Sequence, residues 1–227
     1  MPEPYYADDK VMIWHGDSRD VLPWTFAQFL VTDPPYGIGY AGVEGGGSRK
    51  GRTTGTNGVF RGVTVHADDS TTARDEVLEL WGDKPALVFG SWKAPRPAAT
   101  RAVLVWEKGG AAGMGDLAIP WRPNTEEIYV LGSGFVGHRG SSVLRHNAIS
   151  PNFVTRDHPT QKPLPLMRDL LAKCPGTIAD PFMGSGTTLR AAKDLGLPAV
   201  GVELDERYCE IAAKRMAQEV LDFGGVA

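Results

Sequence analysis

Cysteines and long apolar runs are scarce in this sequence of 227 residues. It contains two cysteines, Cys174 and Cys209, too few for the disulfide framework of a small secreted protein, so we expect two free thiols on helices. No apolar run approaches the ~20 residues that span a membrane. The first residues, MPEPYYADDK, are acidic and polar, which a signal peptide is not. These absences predict a cytoplasmic protein without a membrane segment.

The net charge of −3 is unevenly distributed along the chain. Residues 39–66 contain four basic residues and one acidic residue, and residues 134–173 contain six basic and two acidic residues. These segments are therefore net +3 and +4, while the remainder of the chain is net −10. Two basic segments in an otherwise acidic chain favour binding of a polyanion at one face. Two solvated loops with scattered arginines would give the same charge distribution.

Apolar and β-branched runs alternate with helical patterns. Seven runs are predicted strands: Lys10–His15, Phe29–Asp33, Ala86–Gly90, Ala102–Glu107, Glu126–Leu131, Thr177–Pro181 and Ala199–Glu203. Four segments are predicted helices: Asp68–Trp81, Leu164–Lys173, Thr187–Leu195 and Asp205–Phe223. Because no linker or internal repeat interrupts this alternation, residues 1–227 are predicted to form one α/β domain around a mostly parallel, doubly wound sheet.

Two segments have neither a helical nor a strand period. Residues 40–62 are rich in Gly and Thr, and residues 132–159 are irregular. A structureless segment of this length inside a compact domain is usually functional or disordered. Since both coincide with the basic segments of the charge distribution, we expect a basic, flexible loop at 40–62 and a polyanion-binding role for both segments.

Near its C-terminal end the chain has the layout strand, glycine turn, helix, strand and acid, in TIADPFMGSGTTLRAAKDLGLPAVGVELDERY. Gly184 and Gly186 flank a tight turn where a ligand can approach bare backbone. Thr187 or Thr188 is predicted to cap the following helix. Glu203 ends the next strand, where an acid can accept hydrogen bonds from two ribose hydroxyls.

The glycine turn does not have the residues of a phosphate site. GSGTT lacks the lysine of a P-loop, and Leu189 stands where a dinucleotide-binding motif has its third glycine. Asp180 adds negative charge, which repels phosphate and suits an ammonium group. A nucleoside with a cationic amino-acid tail meets these constraints, and S-adenosylmethionine is such a molecule. A glycine turn without a ligand is the alternative.

An apolar run ends on an acid, two prolines and an aromatic residue in FLVTDPPYGIGY, residues 29–40. Alone, Asp33 is typical of an Asp-Pro turn and Tyr36 of a ring packed at a strand end. Together with DPFMGSGTT at 180–188, however, DPPY at 33–36 resembles the β-class of DNA amino-methyltransferases, in which the catalytic motif precedes the cofactor motif. Further stretches are similar to motifs of that class: HGDSRDVL (15–22), VWEKGG (105–110), TEEIYVLGSG (125–134) and HPTQKPLPLM (158–167). The resemblance covers most of the chain.

The resemblance implies a seven-stranded, Rossmann-like S-adenosylmethionine-dependent methyltransferase fold with circularly permuted motif order. It also implies methyl transfer to an exocyclic amine, whose hydrogens the Asp33 carboxylate and the Pro34 carbonyl would accept, held rigid by Pro34 and Pro35. Tyr36 would stack on a base flipped out of the duplex. The implied cofactor residues are Asp17, Asp33, Thr160, Lys162, Pro163, Asp180, Pro181, Phe182, Gly184, Ser185, Gly186, Thr187, Glu203 and Leu204, of which Lys162 and its neighbours pack against the methionine moiety. No metal is expected.

The first residue of the tetrapeptide indicates the base. Asp at position 33 resembles the adenine-N6 enzymes, whereas Ser there is similar to the cytosine-N4 group, so we expect N6-adenine methylation with N4-cytosine as the alternative. An RNA or protein-glutamine methyltransferase, which usually has Asn at this position, is a rival. A DNA- or nucleotide-binding module without catalysis is another.

Double-stranded DNA is the expected partner, with residues 132–157 as a short candidate target-recognition segment. The predicted DNA contacts are Arg49, Lys50, Arg52, Arg61, Arg139, Arg145 and Arg156. A second copy of the chain and a separate restriction endonuclease are further partners that the resemblance allows. The sequence shows no nuclease motif, so we do not expect the chain itself to cleave DNA.

Overall fold

The computed structural model describes residues 3–37, 70–111, 115, 118–149 and 161–218. Its strands are β1 Tyr6–Ala7, β2 Val11–His15, β3 Phe29–Thr32, β4 Ala86–Gly90, β5 Ala102–Glu107, β6 Thr125–Leu131, β7 Val143–Arg145, β8 Ile178–Asp180 and β9 Ala199–Glu203. Its helices are α1 Thr72–Trp81, α2 Leu164–Leu171, α3 Thr187–Asp194 and α4 Glu206–Ala217, and short 3₁₀ helices cover Pro23–Phe26 and Gly109–Ala111. Each predicted strand and helix therefore has a counterpart.

The strands form one mixed sheet in the order β1-β2-β9-β8-β3-β4-β6-β5-β7. The five strands from β2 to β4 in this order run parallel, whereas β6 is antiparallel to both β4 and β5. The described sheet thus has nine strands rather than the predicted seven. The additional strands, β1 and β7, lie at the two edges and have two and three residues, too few for an alternating pattern to be visible.

Helices cover both faces of the sheet, as a doubly wound sheet requires. Helices α2, α3 and α4 pack on one face, where Phe29 and Val31 of β3 point. Helix α1 and the first 3₁₀ helix pack on the other face with Leu30, and there Trp24 stacks on Trp81 at 6.0 Å between ring centroids. Successive strand residues point to opposite faces, so the unbroken apolar run of β3 serves both cores.

The first turn of α3 differs from its prediction. Gly186, rather than Thr187 or Thr188, is the N-cap residue, and it has a left-handed backbone with φ of 77°. A Cβ at Gly186 would lie 2.9 Å from the Cβ of Ala212 in α4. Close packing of α4 against the turn therefore requires glycine here, and the two threonines become the first residues of the helix.

All four helices are shorter than predicted, and α2 ends at Leu171 rather than Lys173 and α3 at Asp194 rather than Leu195. Helix α1 begins at Thr72, with Thr71 as its N-cap, and it ends before its C-cap Gly82, whose positive φ of 71° suits glycine. Helix α4 ends at Ala217, and Gln218 is already extended. Residues 68–69 and 219–223, which the predicted helices included, lie outside the described residues.

Both cysteines are buried free thiols, Cys209 on α4 and Cys174 just after α2. Burial raises the pKa of each thiol to about 12, so neither is a reactive thiolate at neutral pH. Within the described ranges no helix is long and apolar enough to cross a membrane.

The parallel strands bring several chain segments to one edge of the sheet. The carboxyl ends of β2, β9, β8, β3 and β4 lie side by side there. Because β6 is antiparallel to β4, its amino end also reaches this edge, where Glu127 pairs with Gly90. Ligands of open α/β sheets bind beyond the carboxyl ends of strands, so this edge is where a site is expected.

Candidate active site

The tetrapeptide Asp33–Tyr36 follows directly after β3, at the carboxyl edge of the sheet. Pro34 and Pro35 have fixed φ angles and no backbone N–H, so they extend the chain away from the sheet. Tyr36 folds back, and its hydroxyl donates a hydrogen bond of 2.6 Å to Asp33 Oδ1. The Asp33 side chain is 24% exposed.

Three charged residues from distant segments surround this pair. Lys162, just before α2, places Nζ 2.5 Å from Asp33 Oδ2 and 2.9 Å from Glu126 Oε1. Glu126, near the start of β6, also contacts the Tyr36 hydroxyl, and its Oε2 lies 2.7 Å from Lys108 Nζ. We call these five residues the charged cluster. Lys162 and Glu126 are each only 9% exposed at the side chain.

Burial and mutual contact set the charges of the cluster. Burial raises the pKa of Asp33, and the nearby Glu126 adds to this against the opposing charge of Lys162. Burial by itself would also raise the pKa of Glu126, but Lys162 and Lys108 outweigh it and lower that pKa to about 2. Burial would lower the pKa of Lys162, yet the two carboxylates raise it. Burial and the same carboxylates hold the pKa of Tyr36 well above its ordinary value. At neutral pH Glu126 is therefore anionic, Lys162 cationic and Tyr36 a neutral phenol.

The glycine turn follows β8, which lies between β9 and β3 in the sheet. Gly184 and Gly186 have positive φ angles of 51° and 77°. Residues with a Cβ atom rarely adopt such angles. The backbone N–H of Gly184 donates to Glu203 Oε2, and that of Asp205 donates to Oε1, each at 2.9 Å. Each carboxylate oxygen keeps a further lone pair, so Glu203 is held in place and can still accept from a ligand hydroxyl. Burial raises the pKa of Glu203.

Asp180 is the last residue of β8. Its side chain is buried, and Oδ1 accepts hydrogen bonds from Thr32 Oγ1 at 2.7 Å and from the backbone N–H of Phe182 at 3.2 Å. Thr32 is the residue before Asp33, so this contact joins the end of β3 to the start of the glycine turn. The geometry gives Asp180 a bracing role between the two motifs.

The remaining predicted cofactor residues that the structure describes lie along the same edge. Asp17 follows β2, and its carboxylate is paired with Arg19 at 2.5 Å. Leu204 follows β9 and is half exposed. Pro163 is the N-cap of α2, Pro181 and Phe182 enter the glycine turn, and the Ser185 carbonyl accepts from Arg215. Thr160 lies outside the described residues.

Two of the seven predicted DNA contacts, Arg139 and Arg145, lie in the described part of the chain. Arg49, Lys50, Arg52, Arg61 and Arg156 lie outside the described residues. Arg139 is exposed. Arg145, on β7, is paired with Glu107 at 3.0 Å, but its side chain remains 74% exposed.

Glu126 and Lys108 were not predicted as site residues. Both occur in stretches that resemble family motifs, but Glu126 is followed by Glu127, and the sequence does not tell which of the two points toward Asp33. Lys162 was predicted to belong to the cofactor set, and the structure places its ammonium against Asp33, another residue of that set.

Comparisons with known proteins identify a family and a fold. The N6_N4_Mtase family model, described as DNA methylase, matches residues 65–214. The type II methyltransferase M.ScaI of Streptomyces caespitosus is 27% identical over 96% of this chain and 84% of its own length. Among solved structures, the M1.HpyAVI–SAM complex has a TM-score of 0.62 at 19% identity, covering 92% of this chain and all of the other. The cytosine-N4-specific PvuII DNA methyltransferase has a TM-score of 0.66 at 14% identity, covering 97% and 91%. These structures confirm the Rossmann-like methyltransferase fold.

Proposed function

This chain belongs to the N6_N4_Mtase family of DNA methylases, and we propose that it transfers a methyl group from S-adenosylmethionine to the N6 amine of an adenine in double-stranded DNA. One observation carries the proposal. The Asp33 carboxylate and the Tyr36 ring are held together at the carboxyl edge of the sheet, on the strand next to the one that leads into the glycine turn.

The residues of the turn fit the methyl donor. The left-handed glycines leave bare backbone for close approach, and Glu203 retains acceptor capacity for ribose hydroxyls. Asp17 and Leu204 follow the adjoining strands β2 and β9, where the adenosine would be held. When bound, S-adenosylmethionine supplies a methyl group on a sulfonium, which becomes a neutral thioether when the methyl group leaves.

Asp33 prepares the amine for attack. An exocyclic amine is a poor nucleophile because its lone pair is delocalised into the ring, and accepting its hydrogens at Asp33 and at the Pro34 carbonyl makes that pair available. The lone pair forms the new N–C bond while the electrons of the C–S bond return to sulfur, and the nitrogen then loses one proton to solvent. The Asp33 carboxylate stabilises the positive charge that develops on nitrogen.

Tyr36 holds the target base. A base inside a duplex cannot present its amine to a cofactor, so it is flipped out and stacked. The Tyr36 hydroxyl is fixed by Asp33 and Glu126, which orients the ring face beside the acceptor. The Asp at position 33 favours adenine. The alternative is cytosine, because the same acceptors serve its N4 amine and the PvuII enzyme of similar fold is cytosine-N4-specific.

Basic residues supply the DNA contacts in this proposal. Arg139 and Arg145 are described and largely exposed, and the basic loop at 40–62 follows Asp33 closely in sequence. Site-specific recognition by residues 132–157, self-association and a separate restriction endonuclease stay predictions, as does a cytoplasmic location.

The test is a methylation assay with product identification. Unmethylated DNA is incubated with the protein and S-adenosylmethionine and digested, and the modified nucleoside is identified by mass spectrometry. We expect N6-methyladenine from the wild type and none from Asp33→Ala, while Asp83→Asn, which changes an exposed acid after α1, stays active. N4-methylcytosine would overturn the choice of base. Cofactor binding without methylation of any DNA would support the binding module instead.

A further inference from the structure

The proposed mechanism leaves one buried carboxylate unused. Glu126 lies one hydrogen bond from Lys162 and contacts Tyr36, but it is not the acceptor for the amine. We propose that Glu126 is a positioning residue that shares Lys162 with Asp33, so that Lys162 stays paired with Glu126 when Asp33 Oδ2 turns to the amine of the target base. The inference rests on the proposed function, and it assigns a role within the same site.

The geometry shows why a second carboxylate is needed. Lys162 Nζ lies 2.5 Å from Asp33 Oδ2. In the proposed mechanism, the target amine needs the same oxygen as its acceptor. An ammonium bonded to Asp33 alone would compete with the amine and oppose the positive charge that develops during transfer. Glu126 Oε1, at 2.9 Å from the same Nζ, gives Lys162 a partner that remains when the base arrives.

Glu126 is itself fixed from both sides. Its Oε2 is paired with Lys108 at 2.7 Å, while Oε1 faces Lys162 and Tyr36. Strand β6 provides the rigid backbone, with Glu126 opposite Trp106 of β5. The carboxylate is therefore placed to hold the ammonium rather than to move with it.

The net charge of the charged cluster predicts how single and double variants should differ in activity. Two carboxylates and two ammonium groups make the charged cluster neutral before the reaction. Without the charge of Glu126 the cluster would carry +1 beside an amine that is about to become cationic. Removing the charges of Glu126 and Lys162 together would restore neutrality, so the second change should repair the first.

The experiment compares Glu126→Gln, Lys162→Met and the double variant in steady-state methylation of DNA. We expect Glu126→Gln to lower kcat by about 10- to 100-fold, with the KM for S-adenosylmethionine within about twofold of the wild type. The double variant should recover at least about tenfold over Glu126→Gln. Thermal unfolding and calorimetric cofactor binding verify that each variant is folded.

The matched control is Glu127→Gln. Glu127 is the next residue of β6, points to the opposite sheet face and pairs with Arg96, so its kcat should stay within about twofold of the wild type.

Either of two results overturns the inference. One is a folded Glu126→Gln enzyme with the kcat of the wild type, and the other is a double variant no more active than Glu126→Gln, as a merely structural ion pair predicts. If Glu126→Gln does not fold, the double variant decides: a kcat within about tenfold of the wild type supports the inference, and a larger loss refutes it. A wild type that methylates no DNA amine would refute the proposed function itself, before any variant is compared.

Discussion

Asp180 is a buried carboxyl group whose ionisation should make stability depend on pH. It is 2% exposed and accepts hydrogen bonds from Thr32 and from the Phe182 backbone, and in the described part of the chain no basic side chain forms an ion pair with it. Burial raises its pKa from 3.8 to about 6. Asp180→Asn removes the titration and keeps an oxygen that can accept from Thr32.

The size of the effect follows from the two pKa values. In the folded state the carboxyl keeps its proton up to about pH 6, whereas in the unfolded chain it ionises near 3.8. Its contribution to the free energy of unfolding therefore falls as pH rises from about 4 to 6, and the full loss is about 3 kcal/mol at roughly 1.36 kcal/mol per pH unit. Between pH 4.5 and 7.5 the expected change is about 2 kcal/mol.

Urea denaturation of the wild type and Asp180→Asn, measured from pH 4.5 to 7.5, tests this directly. The free energy of unfolding of the variant, relative to that of the wild type, should increase by about 2 kcal/mol across this range. The pH dependence that other titrating groups give to the free energy of unfolding is common to both proteins and cancels in the difference. The control is Asp83→Asn, because the Asp83 side chain is exposed in the folded state and should give no such trend. A difference between wild type and Asp180→Asn that is the same at every pH would refute the reasoning.

Three further changes test the site, the packing and the basic loop. Tyr36→Phe keeps the ring but loses the hydroxyl bonded to Asp33 at 2.6 Å, so kcat in the methylation assay should fall roughly tenfold or more with cofactor affinity unchanged by calorimetry. Gly201→Ala places a Cβ 2.5 Å from Met183 Sδ and should lower the free energy of unfolding, measured in urea, by about 1–3 kcal/mol. Replacing the basic residues of the loop by alanine, at Arg49, Lys50 and Arg52, should flatten the salt dependence of DNA binding in a filter or fluorescence assay.

Each of these changes has a control or a contrary outcome. Tyr129→Phe removes a hydroxyl that bonds Glu127 on the other sheet face and should not change kcat, so equal losses in both tyrosine variants would contradict the role of Tyr36. Gly140 has open space around its Cβ position, and Gly140→Ala should be neutral; a neutral Gly201→Ala would contradict the packing argument. An unchanged salt slope would exclude the loop from phosphate contact.

Local patterns in the sequence were sufficient for much of the fold. Strand β3 was predicted because Phe29–Val31 is a continuous apolar run, as a strand buried on both faces requires. The glycine turn and Glu203 were predicted as parts of one motif, and in the structure the Gly184 N–H donates to the Glu203 carboxylate. These features depend on residues close in the chain, whose backbone preferences are readable one segment at a time.

Other features depended on contacts between distant segments. Gly186 is the cap of α3 because Ala212 of another helix leaves no room for a Cβ, and the edge strands β1 and β7 exist only because a sheet is there to pair with.

The sequence by itself determined the order of seven of the nine described strands and of the four helices, and the two motifs at the carboxyl edge. Only the tertiary structure decided which charges meet. Glu126 rather than Glu127 faces Asp33 because antiparallel pairing of β6 sets its register and face, and Lys162 reaches Asp33 across 129 residues of chain. The physical reason is that a side chain's charge acts through space, so its partner is fixed by the packing of the sheet and not by position in the sequence.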